Sequence, residues 1–349
     1  MNRNLLAGMV CLGLLIVAGC SKSNDAAQNT NPAAAPTPSA ETTGNGATVA
    51  PAAPGKPLTI AVIPKGTTHI YWQSVKAGAE KAGKDLGVTI EWKGPLLESD
   101  RAGQIQIVQQ FIADGVNGIV LAPLDNVALK QPVDEAMEQM IPVDIIDSAL
   151  EGNVSHDFIS FIATDNKAGG MMGGEELCRQ INNKGKVILL RYEEGSASTL
   201  DREQGFLDAV AKHPDVQVLV SNRYAGATLE GAKTTSLEMI DQIKQADGVF
   251  CSNDPTTTGM LLTLRDAGLA GKTKFVGFDA NDETLKALKA GEINAIVVQN
   301  PVKMGYEGVR VMVNYLRGKP FETHIDSGAK LVTPANIDDP DTKSLLGIK

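Results

Sequence analysis

From Leu58 onward the chain alternates short apolar runs with longer amphipathic stretches. The first runs are Leu58–Ile63, Val88–Trp92, Gly118–Ala122, Val143–Asp147 and Phe158–Ile162. Their length and β-branched content mark them as strands. Apolar residues at helical spacing fill the gaps, over Tyr71–Leu86, Ala102–Asp114 and Asn126–Met140. The rhythm then restarts. Strand-like runs follow at Lys186–Arg191, Val216–Ser221, Gly248–Ser252, Lys274–Phe278 and Ala295–Gln299. Helical patterns lie at Lys167–Asn182, Leu200–Lys212, Thr228–Gln245, Thr256–Ala267 and Asp282–Ala290, and a last one runs from Pro301 to near Arg317-Gly318. Alternation of this kind predicts parallel sheets covered by helices and linked by right-handed crossovers. Two consecutive sets predict an α/β protein of two doubly wound parallel-sheet domains.

The segment before Leu58 follows neither period. Arg3 precedes an apolar stretch, Leu5–Ala18, that is shorter than the roughly 20 residues of a membrane span. It reads as the core of a signal peptide. The stretch closes on Ile16-Val17-Ala18-Gly19-Cys20, which resembles a bacterial lipobox whose cysteine becomes the lipidated first residue. Residues 21–56 are Ala, Thr, Asn, Pro, Gly and Ser with few large apolar groups. They cannot bury enough surface to offset chain entropy, so they read as a disordered tether. The expectation is a protein of the cell envelope, lipid-anchored on the periplasmic or extracellular side, touching the membrane through that anchor alone.

Composition narrows the function. At 349 residues, 43% hydrophobic and 21% charged, the chain suits two soluble domains rather than one. A net charge of −9 argues against nucleic acid, which needs a basic footprint. Cys11, Cys20, Cys178 and Cys251 form no CxxC pair, so a metal knuckle is not expected. A Cys178–Cys251 disulfide is unforced, since buried free cysteine is common. No GxSxG, HExxH or P-loop pattern occurs, and His69, His156, His213 and His324 are scattered. Neither metal nor cofactor is expected. Asp147 and Asp279 could serve a glycosidase, but carboxylates that only accept hydrogen bonds meet the needs of capture. The Gly169-Gly170 and Gly173-Gly174 pairs read as tight helix packing rather than a nucleotide loop.

Ligands of open α/β sheets bind beyond the carboxyl ends of the strands. The residues there are Lys65, Asp147, Asn253, Asp279 and Gln299, with Arg202 one loop further on. Tyr71 and Trp72 open the first helix. Carboxylates, amides and a guanidinium accept and donate paired hydrogen bonds, as vicinal hydroxyls require. An aromatic pair can stack on the C–H face of a sugar ring.

Taken in order, several stretches carry a resemblance: Thr59–Ile63, Tyr71-Trp72, Ile141-Pro142-Val143 leading to Asp147, Ala163-Thr164-Asp165-Asn166, Arg202 before Gly205-Phe206, Cys251–Asp254, Val276–Asp279 and Gln299-Asn300-Pro301. Over residues 57–333 the chain resembles the type I periplasmic sugar-binding proteins, the ribose-binding-protein-like receptors of ABC transporters. The resemblance implies a monomer with a ligand cleft between two lobes, residues 57–162 plus 300–328 and residues 163–299 plus 329–340. Three segments would cross between them, near Ile162–Thr164, Gln299–Pro301 and Ser327–Lys330. A monosaccharide or related polyol would be captured by hinge closure and passed to an ABC importer permease. A receptor for a membrane sensor or chemoreceptor is the alternative. A sugar-responsive repressor is excluded by the signal and tether, which stand where a DNA-binding segment would be.

The implied ligand residues are Lys65, His69, Tyr71, Trp72, Asp147, Ser148, Arg202, Asn253, Asp279 and Gln299. Three features depart from the ribose-binder pattern. Ser148 stands where an arginine is expected, Lys65 and His69 replace small polar residues, and Ala225-Gly226-Ala227 replaces a second-lobe aromatic. These changes fit a larger sugar, or one with an anionic group facing Lys65.

Overall fold

The computed structural model describes residues 58–348. The signal peptide, Cys20 and the tether lie outside the described residues. The elements begin β1 (Thr59–Ile63), α1 (Ile70–Leu86), β2 (Thr89–Trp92), α2 (Arg101–Asp114), β3 (Gly118–Leu121), α3 (Lys130–Glu138), β4 (Val143–Ile146) and β5 (Phe161–Ala163). Next come α4 (Asn166–Gln180), β6 (Gly185–Arg191), α5 (Ala197–Val210), β7 (Val216–Tyr224), α6 (Leu229–Glu238), α7 (Ile240–Ile243), β8 (Gly248–Cys251), α8 (Asp254–Asp266), β9 (Lys274–Phe278), α9 (Asp282–Lys289) and β10 (Ala295–Gln299). The described chain ends with α10 (Pro301–Leu316), β11 (His324–Asp326), β12 (Ala329–Val332) and α11 (Pro340–Leu346).

Two six-stranded sheets result, in the orders β11-β5-β4-β3-β1-β2 and β12-β10-β9-β8-β6-β7. The first is parallel throughout, and the second is parallel except for β12. Each is a doubly wound sheet with its switch point beside its first strand. The strands β3, β4 and β8 are buried along their whole length, because helices cover both faces of each sheet. The chain passes from the first lobe to the second between β5 and α4, returns between β10 and α10, and passes again between β11 and β12.

One packing device recurs in both lobes. A Cβ at Gly78 of α1 would lie 2.0 Å from the Val302 carbonyl oxygen, and one at Gly305 of α10 would lie 2.0 Å from that of Val75. The helix α10, which comes late in the chain, thus seats against the first helix of the first lobe. In the second lobe Gly170 of α4 and Gly205 of α5 play the same part, 1.9 Å from the Arg202 oxygen and 2.1 Å from the Lys167 oxygen. Only glycine permits such backbone contact.

Several elements differ from the sequence pattern. The third helix begins at Lys130, because the Asp125 carboxylate accepts the Val127 and Ala128 N–H groups and holds a turn ahead of it. The pattern over Thr228–Gln245 breaks at Met239 into α6 and α7. The strands β11 and β12 escape a periodicity reading because they are short and only partly buried. Both cysteines of the second lobe are free and buried. Cys178 belongs to the cluster on one face of the sheet and Cys251 to the cluster on the other, so they cannot pair.

Candidate functional site

The strand ends of the two sheets face each other, and an acid stands at the equivalent place in each. Asp147 follows β4 and Asp279 follows β9, with φ of 67° and 63°. Each N–H donates to the adjacent strand, Asp147 to Ile162 O and Asp279 to Val297 O. A side chain held in this left-handed region is strained, and such strain gathers at functional sites.

Each acid has its own cation. Lys65 Nζ lies 3.0 Å from Asp147 Oδ2. The same ammonium reaches into the second lobe, donating to Ser198 Oγ at 3.0 Å and Ser196 Oγ at 3.3 Å. Tyr71 Oη donates to the other oxygen of Asp147 at 2.8 Å. Across the cleft, Arg202 Nη1 lies 3.7 Å from Asp279 Oδ2. Arg202 also donates to Asn166 Oδ1 at 2.8 Å and to Ser252 O at 3.1 Å, and its guanidinium sits 4.0 Å above the centre of the Phe278 ring. Gln299 Nε2 donates to Asp279 Oδ1 at 2.7 Å. Burial outweighs the nearby Arg202 charge and the Gln299 hydrogen bond, and pushes the Asp279 carboxyl up to about 6.

A third carboxylate, Glu98, was not singled out from the sequence. Buried in the loop after β2, it accepts from His69 Nδ1 and Trp72 Nε1, each at 2.7 Å, and from Tyr192 Oη of the second lobe at 3.0 Å. Burial opposes ionisation of Glu98, but its bond to His69 and the charges of His69 and Lys65 hold its carboxyl below the usual range. Burial likewise opposes a charge on His69, and the Glu98 partner outweighs it and raises the imidazole.

These groups wall a narrow cavity of about 30 Å³ between the lobes, room for a water molecule or two, so a larger ligand enters only if the lobes part. Lys65, His69, Tyr71, Trp72, Asp147, Arg202, Asn253, Asp279 and Gln299 all line it, and so do Glu98, Tyr192, Ser196, Ser198, Thr199 and Asp254. Ser148 is the one expected ligand residue that the wall omits. Its hydroxyl instead accepts the Ser198 N–H at 3.0 Å, so it joins the lobes. Arg202 stands in helix α5 rather than in a loop, and its backbone packs on α4. Trp72 is only 2% exposed and meets Tyr71 edge-on, with ring centres 5.0 Å apart. It buttresses the wall more than it offers a face. Tyr192 is an aromatic of the second lobe that lines the cavity, whereas Ala225-Gly226-Ala227 does not. Among the described residues no group of three or more His, Cys, Asp or Glu side chains is placed to hold a metal.

Opposed lobes, a polar cavity between them and acids at matching strand ends define a two-lobed solute-binding architecture. The model for the periplasmic binding protein domain matches residues 60–320, and the chain belongs to that family. It is 30% identical over 281 residues to the ribose import binding protein RbsB of Salmonella typhimurium, covering 78% of this chain and 90% of that protein. Among solved structures, a carbohydrate transporter solute-binding protein from Agrobacterium radiobacter in complex with D-arabinose is 37% identical, with a TM-score of 0.79 over 83% of this chain and 98% of that one. An ABC transporter solute-binding protein from Agrobacterium vitis with bound D-fucose is 34% identical, with a TM-score of 0.78 over 82% and 98% of the two chains.

Proposed function

We propose that this protein captures a monosaccharide or a closely related polyol between its lobes and delivers it to an ABC importer permease without transforming it. One observation carries the reading: a cavity between the lobes whose wall joins hydrogen-bonding carboxylates, amides and cations from the two of them. The sugars named for its relatives differ among themselves, so the ligand class follows from them and the individual sugar does not. An uncharged sugar is favoured over an anionic one, because Asp147 already matches the Lys65 charge. The tether and Cys20 complete the proposal: a monomer held near the membrane by one lipidated cysteine.

Thermal unfolding against a panel of monosaccharides and sugar acids tests the central claim. A ligand at 100 times its Kd adds about 2.7 kcal/mol of apparent stability. Neutral sugars should raise the Tm and uronic acids should not; a panel in which only acids stabilise overturns the charge assignment. Bound sugar should be recovered unchanged by mass spectrometry after long incubation. Cys20→Ser should abolish partition of the natively expressed protein into detergent, and an unlipidated wild type would remove the anchor.

A further inference from the structure

We infer that closure is held by a latch outside the ligand cavity, and that Arg101 is a positioning residue for capture; this rests on the sugar-capture reading above. The latch joins the first residue of α2 and the loop after β3 to the turn between β6 and α5. Arg101 Nη2 donates to the Glu194 carbonyl oxygen of the second lobe at 2.5 Å. Its Nε lies 2.9 Å from Asp125 Oδ2. The other oxygen of Asp125 accepts the Val127 and Ala128 N–H groups at 2.9 and 2.8 Å. The Asp125 carboxylate thus keeps the guanidinium at the lobe boundary by charge, while Nε itself makes no hydrogen bond. Beside it, Asn126 N–H donates to the Gly195 carbonyl oxygen at 3.1 Å.

Gly195 allows this fit for two reasons. Its φ is 86°, and a Cβ there would lie 2.3 Å from Asp125 Oδ2. A side chain at that position would press on the Asp125 carboxylate and the Arg101 guanidinium of the opposite lobe. None of Arg101, Asp125, Asn126, Glu194 and Gly195 lines the ligand cavity. The two carbonyl acceptors belong to one lobe and both donors to the other, so opening breaks both bonds. Arg101 is 43% exposed, and the Arg101–Asp125 pair by itself is therefore a weak element. Its part is to present a fixed donor to the opposite lobe.

Apparent affinity scales with the fraction of protein that is competent to hold ligand. A contact confined to the closed form raises that fraction without touching the sugar. Removing it must weaken every ligand by a common factor, mostly through faster release. Arg101→Ala is expected to raise Kd about three- to tenfold for each sugar the wild type binds, leaving their order unchanged. Arg101→Lys should recover part of the loss, and Gly195→Val should lose more than Arg101→Ala. Stopped-flow release and calorimetry across the sugar panel, with small-angle scattering of the ligand-free proteins, provide the readouts. Ligand-free Arg101→Ala should scatter as a more open ensemble at unchanged unfolding midpoint. Unchanged affinity overturns the latch, and so does a loss confined to one sugar, since Arg101 would then be touching ligand. If the wild type binds no sugar of the panel, the capture reading fails. The scattering comparison still decides the latch, and identical profiles sink it.

Discussion

The two lobes bring the same device to the site, an acid in left-handed backbone paired with a cation, but they anchor the cation differently. Arg202 is fixed inside its own lobe, by Asn166, Ser252 O, Asp279 and the Phe278 ring. Lys65 is paired with Asp147 in its own lobe, and its hydroxyl partners Ser196 and Ser198 belong to the other. Glu98 follows the Lys65 pattern, with His69 and Trp72 on its own side and Tyr192 opposite. The second-lobe half of the site is thus organised before closure, while the first-lobe half is completed by it. A ligand that touches both halves favours the closed form by its differential affinity for it.

Removing each cation separates these roles. Arg202→Ala should lower the stability of the ligand-free protein by about 3–5 kcal/mol, because a buried carboxylate and a buried amide lose their partner. It should also weaken sugar binding beyond easy measurement. Lys65→Met should destabilise the ligand-free protein less than Arg202→Ala, because Asp147 keeps the Tyr71 hydroxyl as a donor and the serine partners of Lys65 belong to the other lobe. Its cost falls on closure, and loss of a charged hydrogen-bond partner of about 1.5–3 kcal/mol corresponds to roughly 10- to 150-fold in affinity. Urea unfolding without ligand and calorimetry with it give both numbers. Equal destabilisation of the ligand-free protein by the two variants breaks the distinction between a preorganised half and a closing half.

The acids should differ in their pH response as well. Asp279 is raised from 3.8 to about 6 by burial, against Arg202 and Gln299. The folded protein therefore takes up this proton before the unfolded chain does as pH falls. Asp279 costs stability above about pH 6, and that cost fades as pH drops from 6 towards 4. Sugar hydroxyls need the ionised acceptor, so affinity moves the other way and falls below pH 6 by at most about tenfold per unit for a single proton. Asp254, also raised by burial, adds in the same direction. His69 is raised and Glu98 lowered, so both shifts move that pair's titration away from this window. Asp279→Asn should bind more weakly and show a much flatter profile between pH 4.5 and about 6.5 by calorimetry. A wild-type affinity that holds constant down to pH 4.5 removes Asp279 as a ligand acceptor.

How much of this was legible in the sequence depends on where each group sits. Asp147, Asn253, Asp279 and Gln299 close apolar runs, and a strand end in a doubly wound sheet points at the cleft, so periodicity alone located them. Lys65 was found by the same rule, but its burial and its reach across to Ser196 were not, since they depend on how the second lobe seats. Tyr192 obeys the rule too: it directly follows the buried run Val187–Leu190 and Arg191. The same rule places it in the cavity wall. Glu98 had no such signal. It lies in an irregular loop after an edge strand, and what makes it matter is the convergence of three donors from separate segments. The glycine pairs of α4 were readable as packing, yet the partner they press against, the backbone at Arg202, was not. Ser148 misled for a related reason: its neighbour Asp147 faces the cavity, and the turn carries the next side chain to the lobe boundary.

The smallest expected effect tests the closing half most narrowly. Tyr192→Phe removes one hydroxyl, the donor to Glu98 Oε2 at 3.0 Å, and preserves the ring. His69 and Trp72 still donate to the same carboxylate, so Glu98 stays satisfied in the open protein and the fold has no reason to weaken. What is lost is one cross-lobe hydrogen bond that exists only on closure. A net contribution of about 0.5–1.5 kcal/mol predicts a two- to tenfold rise in Kd. Tyr192 also lines the cavity, which gives the hydroxyl a second candidate partner in the sugar itself, and a double-mutant cycle separates the two. Glu98→Gln keeps the shape of the carboxylate and removes its charge. If the bond to Glu98 is what matters, Tyr192→Phe in the Glu98→Gln background should cost measurably less than in the wild type, with a coupling of about 0.5 kcal/mol or more. Full additivity assigns the hydroxyl to the ligand and leaves Lys65 as the principal side chain by which the first lobe reaches the second inside the cavity.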